Sequence, residues 1–306
     1  MNEINPIKKT AENHLSGTSK SHAEEEDQTT SETNTTSEAD KTYPDAESEY
    51  VTLPSQGIFY KGRFKGLAKI KVRKLNYTDE DILTTRSYYD NGTLFNEILK
   101  NVIVDTNGFR SEQLVPVDRD AILMWLRIGA FGKDYVIPQE CEECTKKDMR
   151  TWDLSDIDMP ELNKQYEQQL VELGEVDAVL PESGITIKLT VPSTGRELEV
   201  EKILTTEKKQ LKTDRNHAIT GRLLSVISAV VIDGRELRSL KEIRDWMKSG
   251  TGLSIRDSRH IQKLAKDIDV KIETKKDFTC KHCGHVEEGV VLPMTIYFFW
   301  PEYEKV

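Results

Sequence analysis

Four cysteines are the residues of this sequence whose type and spacing point most directly to chemistry. All four lie in two Cys-x-x-Cys pairs, Cys141/Cys144 and Cys280/Cys283. Thiolates are preferred ligands of zinc, and a structural zinc site takes four ligands in a tetrahedron. The chain starts without an apolar stretch of signal-peptide length, which favours metal or redox chemistry over disulfides. We predict one structural zinc ion per chain, bound by these four cysteines.

Other interpretations of the cysteines stay open. A thioredoxin-like redox pair would open a helix, whereas polar residues and strand-like segments follow both pairs here. Two disulfides, or inert thiols, are a second possibility. Replacement of one thiolate by His282 or His285 is a third. A catalytic zinc would need an open coordination position, which four thiolates close, so we expect no chemistry at the metal.

Strand-like segments should position both pairs. Residues 134–137 precede the first pair, and residues 270–273 with Phe278 precede the second. A strand, a tight Cys-x-x-Cys turn and a second strand form a zinc knuckle. Gly284 suits the left-handed conformation in which such a turn often ends, whereas Thr145 fits the same position less well.

An internal duplication explains why 135 residues separate the two pairs. The sequence LPSQGI at 53–58 returns as LPESGI at 180–185, with an offset of 127. Asp118 corresponds to Asp257 at an offset of 139, which is also the offset between the cysteine pairs. Each half would then end in one knuckle, and neither knuckle alone completes a four-ligand site.

A further match at an offset of 128 makes more local predictions. It pairs residues 72–75 with residues 200–203, and the predicted helix N-cap Thr78 with Thr206. Alternating apolar residues predict short strands over 185–191 and 198–200 in the second half, and the match with Thr78 predicts a helix that begins near Thr206.

Two local signals predict further helices. The apolar segment from Asp118 to about Ala130 predicts a helix at the centre of its half, and Ser239-x-x-Glu242 is a capping box that opens another helix.

The predicted fold class is therefore α+β: two related mixed α/β halves, each ending in a zinc knuckle, preceded by a disordered N-terminal arm. The arm holds 12 acidic residues against 4 lysines and has little apolar surface, so it cannot offset the entropy cost of ordering. The predicted boundaries are 1–50 for the acidic arm, 51–155 for the first half, 156–175 for a linker helix and 176–306 for the second half.

Charge and missing motifs exclude several classes of function. The arm carries −8 of the net charge of −10, so residues 51–306 are nearly neutral, which makes nucleic acid an unlikely partner. The longest apolar run, residues 226–232, is too short to span a membrane. Phosphate-loop, dinucleotide-binding, nucleophile-elbow and zinc-protease motifs are absent from the sequence, so we expect neither an enzyme nor a small-molecule substrate.

Several segments together resemble the baseplate hub proteins of T-even-type bacteriophages, over about residues 51–301. They are LPSxGxxY at 53–60, IKVRKL at 70–75, residues 118–127 leading to Tyr135, the paired knuckles and FFWP at 298–301. The resemblance implies a protein that helps to build the central hub of a contractile tail, by protein–protein contact and without catalysis. It implies other hub and tail proteins as partners, and a location in the virion tail baseplate or in the host cytoplasm during assembly.

Two alternative functions remain. One is a zinc-ribbon protein that binds nucleic acid or takes part in transcription, against which the neutral body counts. The other is an enzyme with an unrecognised site, which a deep pocket lined by titratable groups would favour. The aromatic C-terminal segment at 296–301 is expected either to pack on the core or to dock a partner.

Overall fold

Short antiparallel sheets alternate with helices along the chain, which makes the fold mixed α/β. The computed structural model describes residues 47–104, 107–155, 164–212, 217–250, 252–270, 272, 274–294 and 298–299. Its strands are β1 (Ser48–Thr52), β2 (Lys69–Arg73), β3 (Asp134–Glu140), β4 (Lys147–Asp153), β5 (Val176–Val179), β6 (Thr186–Leu189), β7 (Ile227–Ile232), β8 (Arg235–Leu237), β9 (Lys275–Thr279) and β10 (Val286–Val291). Its helices are α1 (Thr78–Thr84), α2 (Arg86–Asp90), α3 (Leu94–Val102), α4 (Pro116–Phe131), α5 (Lys164–Leu173), α6 (Thr194–Leu211), α7 (Ala218–Val226), α8 (Leu240–Lys248) and α9 (Ile255–Ile268).

The strands form three two-stranded sheets and one larger sheet within these residues. The two-stranded sheets are β1–β2 and the hairpins β3–β4 and β9–β10, and the larger sheet has the antiparallel order β5–β6–β7–β8. Every strand pairing is antiparallel. Such sheets can bury one face and leave the other in water, which suits the alternating burial along β3 and β4.

The N-terminal boundary lies slightly earlier than the composition suggested. Ser48 and Tyr50 were assigned to the acidic arm but lie in β1, where Tyr50 is paired with Lys71. Val51 follows them and is buried opposite Ile70, so strand pairing and core contact include this end of the chain. Residues 1–46 of the predicted arm lie outside the described residues.

Helix α4 occupies the centre of the first part of the chain, as its apolar sequence predicts. Pro116 begins it at a position where a missing N–H costs nothing. Ile122, Leu123 and Leu126 are at most 1% exposed. Gly132 ends the helix with φ of 80°, a conformation that glycine adopts without strain.

The second part of the chain corrects two local predictions. The strand expected over 198–200 and the N-cap expected at Thr206 both lie inside helix α6. Ser193 caps this helix instead, because its side chain accepts a hydrogen bond from the N–H of Arg196. The following Glu, Leu and Lys residues favour helix, so α6 continues to Leu211 without a break. The sequence match at an offset of 128 therefore does not identify structurally equivalent elements.

Other predicted elements are found in place. The capping box Ser239-x-x-Glu242 begins α8, with each side chain bonded to the backbone N–H of the other. Helix α5 lies within the predicted linker helix, whose residues 156–163 are outside the described part of the chain. The described residues, from 47 onwards, belong to one compact unit. The division of this unit into two related halves remains a prediction.

Candidate metal centre

Two hairpin turns present the four cysteines. Cys141 follows β3 and begins the turn that leads to β4. Its N–H donates to the carbonyl of Lys146 over 3.0 Å, and its carbonyl accepts from the N–H of Thr145 over 2.9 Å. These two bonds hold the turn closed, so Cys144 lies on the same side as Cys141.

The second hairpin repeats this pattern 139 positions later. The N–H of Cys280 donates to the carbonyl of His285 over 2.8 Å, and its carbonyl accepts from the N–H of Gly284 over 2.9 Å. Gly284 has φ of 76° and Thr145, at the matching position, has φ of 56°. Both turns therefore end in the left-handed region, and Thr145 adopts it although a β-branched residue is strained there.

The two turns face each other and bring the four sulfur atoms together. The Sγ atoms of Cys141 and Cys283 are 3.8 Å apart. Those of Cys144 and Cys280 are 3.7 Å apart. All four lie within 4.8 Å of one another, and all four thiols are free. Ligands about 2.3 Å from a central zinc ion form a tetrahedron with edges of about 3.8 Å, so the cluster has the dimensions of a four-thiolate site.

The turns also affect how readily the thiols ionise. Backbone N–H groups of His282 and Cys283 point at the sulfur of Cys280 and lower its pKa to about 6. For Cys283, the N–H of His285 lowers the pKa, but desolvation and the adjacent cysteines outweigh it and raise the pKa to about 12. Four thiolates this close repel one another, and a bound cation would remove that repulsion.

The neighbouring histidines are not part of the cluster. Among the described residues, the group of close potential ligands consists of the four cysteines alone. His282 is exposed on the second turn, and His285 is partly buried and uses its carbonyl to hold the turn. The alternative in which one histidine replaces a thiolate therefore has no support from these positions.

A buried ion pair joins the two hairpins beside the sulfurs. Arg150 of β4 donates two hydrogen bonds of 2.7 Å to the carboxylate of Glu287 on β10. Their side chains are 6% and 9% exposed. The N–H of Glu142, in the first turn, also donates to Glu287 over 3.1 Å. The Arg150 hydrogen bonds are the main reason that the pKa of Glu287 falls to about 2.

Further contacts extend this junction. The ring of Trp152 on β4 lies 4.7 Å from that of Phe278 on β9, measured between centroids. Asp148 accepts from the backbone N–H of Lys281 and pairs with its ammonium group, each over 3.4 Å. Sequence reasoning identified the cysteines but missed Arg150, Glu287 and Asp148, because only the facing of the hairpins reveals their roles.

The C-terminal aromatic segment packs on the first part of the chain. Phe298 and Phe299 are fully buried. Phe298 lies 5.3 Å from the ring of Tyr135 on β3, and Phe299 lies 5.9 Å from that of Phe95 on α3. The hydroxyl of Tyr135 donates to the carbonyl of Pro293 over 3.0 Å. These residues pack on the core, and Trp300 and Pro301 lie outside the described residues.

Two buried aspartates act at matching positions. Asp118, at the start of α4, accepts from the N–H of Ser55 over 2.9 Å. Asp257, in the first turn of α9, accepts from the N–H of Glu182 over 2.9 Å. Ser55 and Glu182 correspond in the repeated LPSQGI and LPESGI segments, and both aspartates are fully buried. Each aspartate therefore fixes the turn of its own segment against its own helix.

A cavity of about 770 Å³ lies between α4, α7 and α9. Charged residues occur among those that line it, including Arg119, Asp120 and Glu197. Arg119 pairs with both carboxylates, over 3.1 and 2.9 Å. The charges of these three groups are thus paired with one another, and their arrangement does not match a nucleophile–base or acid–base pair.

Comparison with known proteins identifies one family. The family model described as "T4 bacteriophage base plate protein" matches residues 44–300. No curated protein and no solved structure matches the chain. Within the described residues, no helix has the length and apolar character needed to cross a bilayer.

Proposed function

Because the chain belongs to the T4 bacteriophage base plate protein family, we propose that it is a component or an assembly factor of the central hub of a contractile tail. In this proposal it acts by contact with other tail proteins and binds one structural zinc ion. It works in the virion baseplate, or in the host cytoplasm while the baseplate is assembled.

The four-sulfur cluster is the observation that supports the zinc site. Two sulfurs come from each hairpin, so one ion would join strands that are remote in sequence. Cys141 and Cys280 are buried, whereas Cys283 is exposed at the edge of the cluster. Four thiolates fill the coordination shell of a tetrahedral zinc ion, which suits a structural rather than a catalytic role.

The matching aspartates support the proposed duplication. Asp118 and Asp257 share an offset with the cysteine pairs, and each bonds the backbone of the corresponding repeated segment. If both halves descend from one ancestor, each contributes one knuckle to a shared ion. This accounts for a metal site with two ligands near residue 142 and two near residue 282.

Metal analysis tests the zinc site. Protein purified without chelator should contain about one zinc per chain, and cobalt substitution should give the thiolate-to-metal absorption of a four-thiolate site. Cys144→Ser and Cys280→Ser should each lower the zinc content. The matched controls His282→Ala and His285→Ala should keep it at one per chain. Full zinc occupancy in both serine variants, or two zinc ions in the wild-type chain, would contradict the proposal.

Affinity capture from infected cells tests the tail function. The tagged chain should recover hub or other tail proteins from infected but not from uninfected host cells. Recovery of host RNA polymerase without tail proteins would instead favour the transcription alternative. A filter-binding assay with duplex DNA at low salt adds an independent check, because tight and salt-sensitive binding would also contradict the proposal.

A further inference from the structure

One face of α9 carries four exposed cations. Arg256, Arg259, Lys263 and Lys266 follow one another at spacings of three, four and three residues, so they lie on one side of the helix. We call them the basic face; it extends over about 15 Å of helix. Within the part of the chain that the structure describes, no carboxylate forms an ion pair with any of them.

Local helix energetics do not explain this arrangement. Like charges at spacings of three and four residues repel one another on a helix surface. Arg256 lies in the first turn, where the positive end of the helix dipole disfavours a cation. Asp257 is the one acidic residue of that turn, and it is fully buried and bonded to residues 182 and 183. Lys266 lies in the last turn, where the dipole favours a cation, so the cost comes from the other three cations and from repulsion along the row, and the basic face weakens the helix slightly when it has no partner.

The corresponding face of α4 is packed within the molecule. At the offset of 139, the four cations match Val117, Asp120, Met124 and Arg127. Val117, Met124 and Arg127 are between 1% and 6% exposed. The same side of the helix is thus a packing surface in one half and an open, charged surface in the other.

We propose that the basic face of α9 binds an acidic segment of another protein, through a row of carboxylates that matches the four cations. This inference rests on the proposed function, because it specifies the chemistry of one partner surface. Ile255, which is 77% exposed at the end of the basic face, supplies an apolar contact beside the charges. A protein interface uses such a contact, whereas the phosphate backbone of nucleic acid does not.

The charge of residues 51–306 also favours a protein partner. They are nearly neutral, because −8 of the net charge of −10 lies in the arm, so they offer no broad basic surface to a long polyanion, whereas a short acidic segment needs only the local cations. Four cations are also few for a protein that holds nucleic acid mainly through phosphate contacts.

Binding of a designed peptide by the full-length protein with its metal tests the inference. The probe is a labelled helical peptide with glutamates at spacings of three, four and three residues, and a scrambled peptide has the same composition. Fluorescence anisotropy should show tighter binding of the ordered peptide, weakening as salt rises. Arg259→Glu with Lys263→Glu should weaken binding at least about tenfold, since attraction becomes repulsion.

Two further variants separate binding from folding. Lys202→Glu with Lys209→Glu makes the same charge change on exposed positions of α6 and should leave peptide binding within about twofold of wild type. Arg256→Glu places an anion at the positive end of the dipole, so it should keep or raise the melting temperature while weakening binding. Loss of binding that follows loss of stability in these variants would overturn the inference.

Other results would also overturn it. Equal affinity for the ordered and scrambled peptides would show that position on the helix does not matter. Tighter binding of duplex DNA, lost in the same α9 variants, would identify a phosphate-binding surface instead. If wild type and the double α9 variant capture the same tail proteins in equal amounts, the inference fails while the proposed function stands. If wild type captures no tail proteins, the proposed function itself fails.

Discussion

Replacing Asp118 by alanine should be among the most destabilising single changes in this protein. The carboxylate is fully buried and accepts three hydrogen bonds: from the N–H of Ser55 over 2.9 Å, from its hydroxyl over 2.5 Å and from the hydroxyl of Tyr60 over 2.5 Å. Asp118→Ala leaves these three buried donors without their acceptor. Each unsatisfied buried group costs about 1–3 kcal/mol, and the site can relax in part. We therefore expect the free energy of unfolding to fall by about 4 kcal/mol.

Asp118→Asn distinguishes the loss of hydrogen bonds from the loss of charge. Burial raises the pKa of Asp118, which shows that its environment opposes ionisation although the Ser55 and Tyr60 bonds favour it. Asparagine keeps an oxygen for the Ser55 N–H, and the two hydroxyls can rotate to accept from its amide. We therefore expect this variant to lose only about 1 kcal/mol.

Asp257→Ala is the matched control at the corresponding position. Asp257 accepts from the N–H groups of Glu182 and Ser183, over 2.9 and 3.1 Å, but both of these residues are exposed. Water can replace the lost acceptor there, so we expect a smaller loss of about 1–2 kcal/mol.

Urea denaturation followed by tryptophan fluorescence and circular dichroism measures these differences, at constant zinc and neutral pH. The loss expected for Asp118→Ala corresponds to a fall in melting temperature of about 10 °C for a domain of this size. If Asp118→Ala is no less stable than Asp257→Ala, or if asparagine is as damaging as alanine, the reasoning about buried donors is refuted.

Three further predictions concern single residues. Thr145→Gly should raise the free energy of unfolding by about 0.5 kcal/mol because it relieves left-handed strain, and the reciprocal Gly284→Thr should lower it by about 1 kcal/mol because it introduces that strain. Shifts of the two denaturation midpoints in the same direction would contradict this. Glu287→Gln should lower the melting temperature by several degrees, because a buried arginine loses its ionic partner; an unchanged midpoint in a thermal scan would argue against the junction. Arg244 holds the pKa of Glu207 at about 2, against an ordinary value of 4.5. The ionised pair stabilises the fold fully above pH 4.5, the ordinary pKa, and this contribution is lost as the pH falls towards 2. The stability deficit of Glu207→Gln relative to wild type, about 1 kcal/mol at pH 7, should therefore shrink on acidification. A deficit that stays constant with pH would refute this reasoning.

Local signals predicted the elements whose stability is itself local. The capping box at Ser239 begins α8 as the sequence indicates, because each of its bonds lies within four residues. The apolar pattern of α4 likewise predicted a central helix. The strand over 198–200 was wrong because Ser193 starts a helix that continues through it. A short apolar alternation cannot reveal a cap several residues upstream.

The contacts around the sulfurs could not be predicted in the same way. Arg150 and Glu287 are 137 residues apart, and each looks like an ordinary surface charge in sequence. Their pairing depends on how two hairpins face each other, and this in turn depends on packing contacts between the hairpins, such as that between the rings of Trp152 and Phe278. The cysteines were identifiable because their spacing alone has a chemical meaning, whereas a charged residue has one only beside its partner.

We expect that removal of the proposed zinc ion would weaken the protein without unfolding it. In small zinc fingers the ion is needed for folding because the chain buries too little apolar surface. Here an extensive core, the Arg150–Glu287 pair and the ring contact between Trp152 and Phe278 join the two hairpins independently of any ion. An ion that cross-links positions about 140 residues apart lowers the entropy of the unfolded chain. On a loop-entropy model this stabilises the folded protein by up to about 5 kcal/mol. Chelation should accordingly lower the melting temperature by roughly 10 °C while leaving the far-ultraviolet circular dichroism spectrum nearly unchanged at 25 °C. A chelated protein that loses its helical signal at that temperature would show that the core depends on the ion, and an unchanged melting temperature with the metal gone would show that the sulfur cluster does not cross-link the two hairpins.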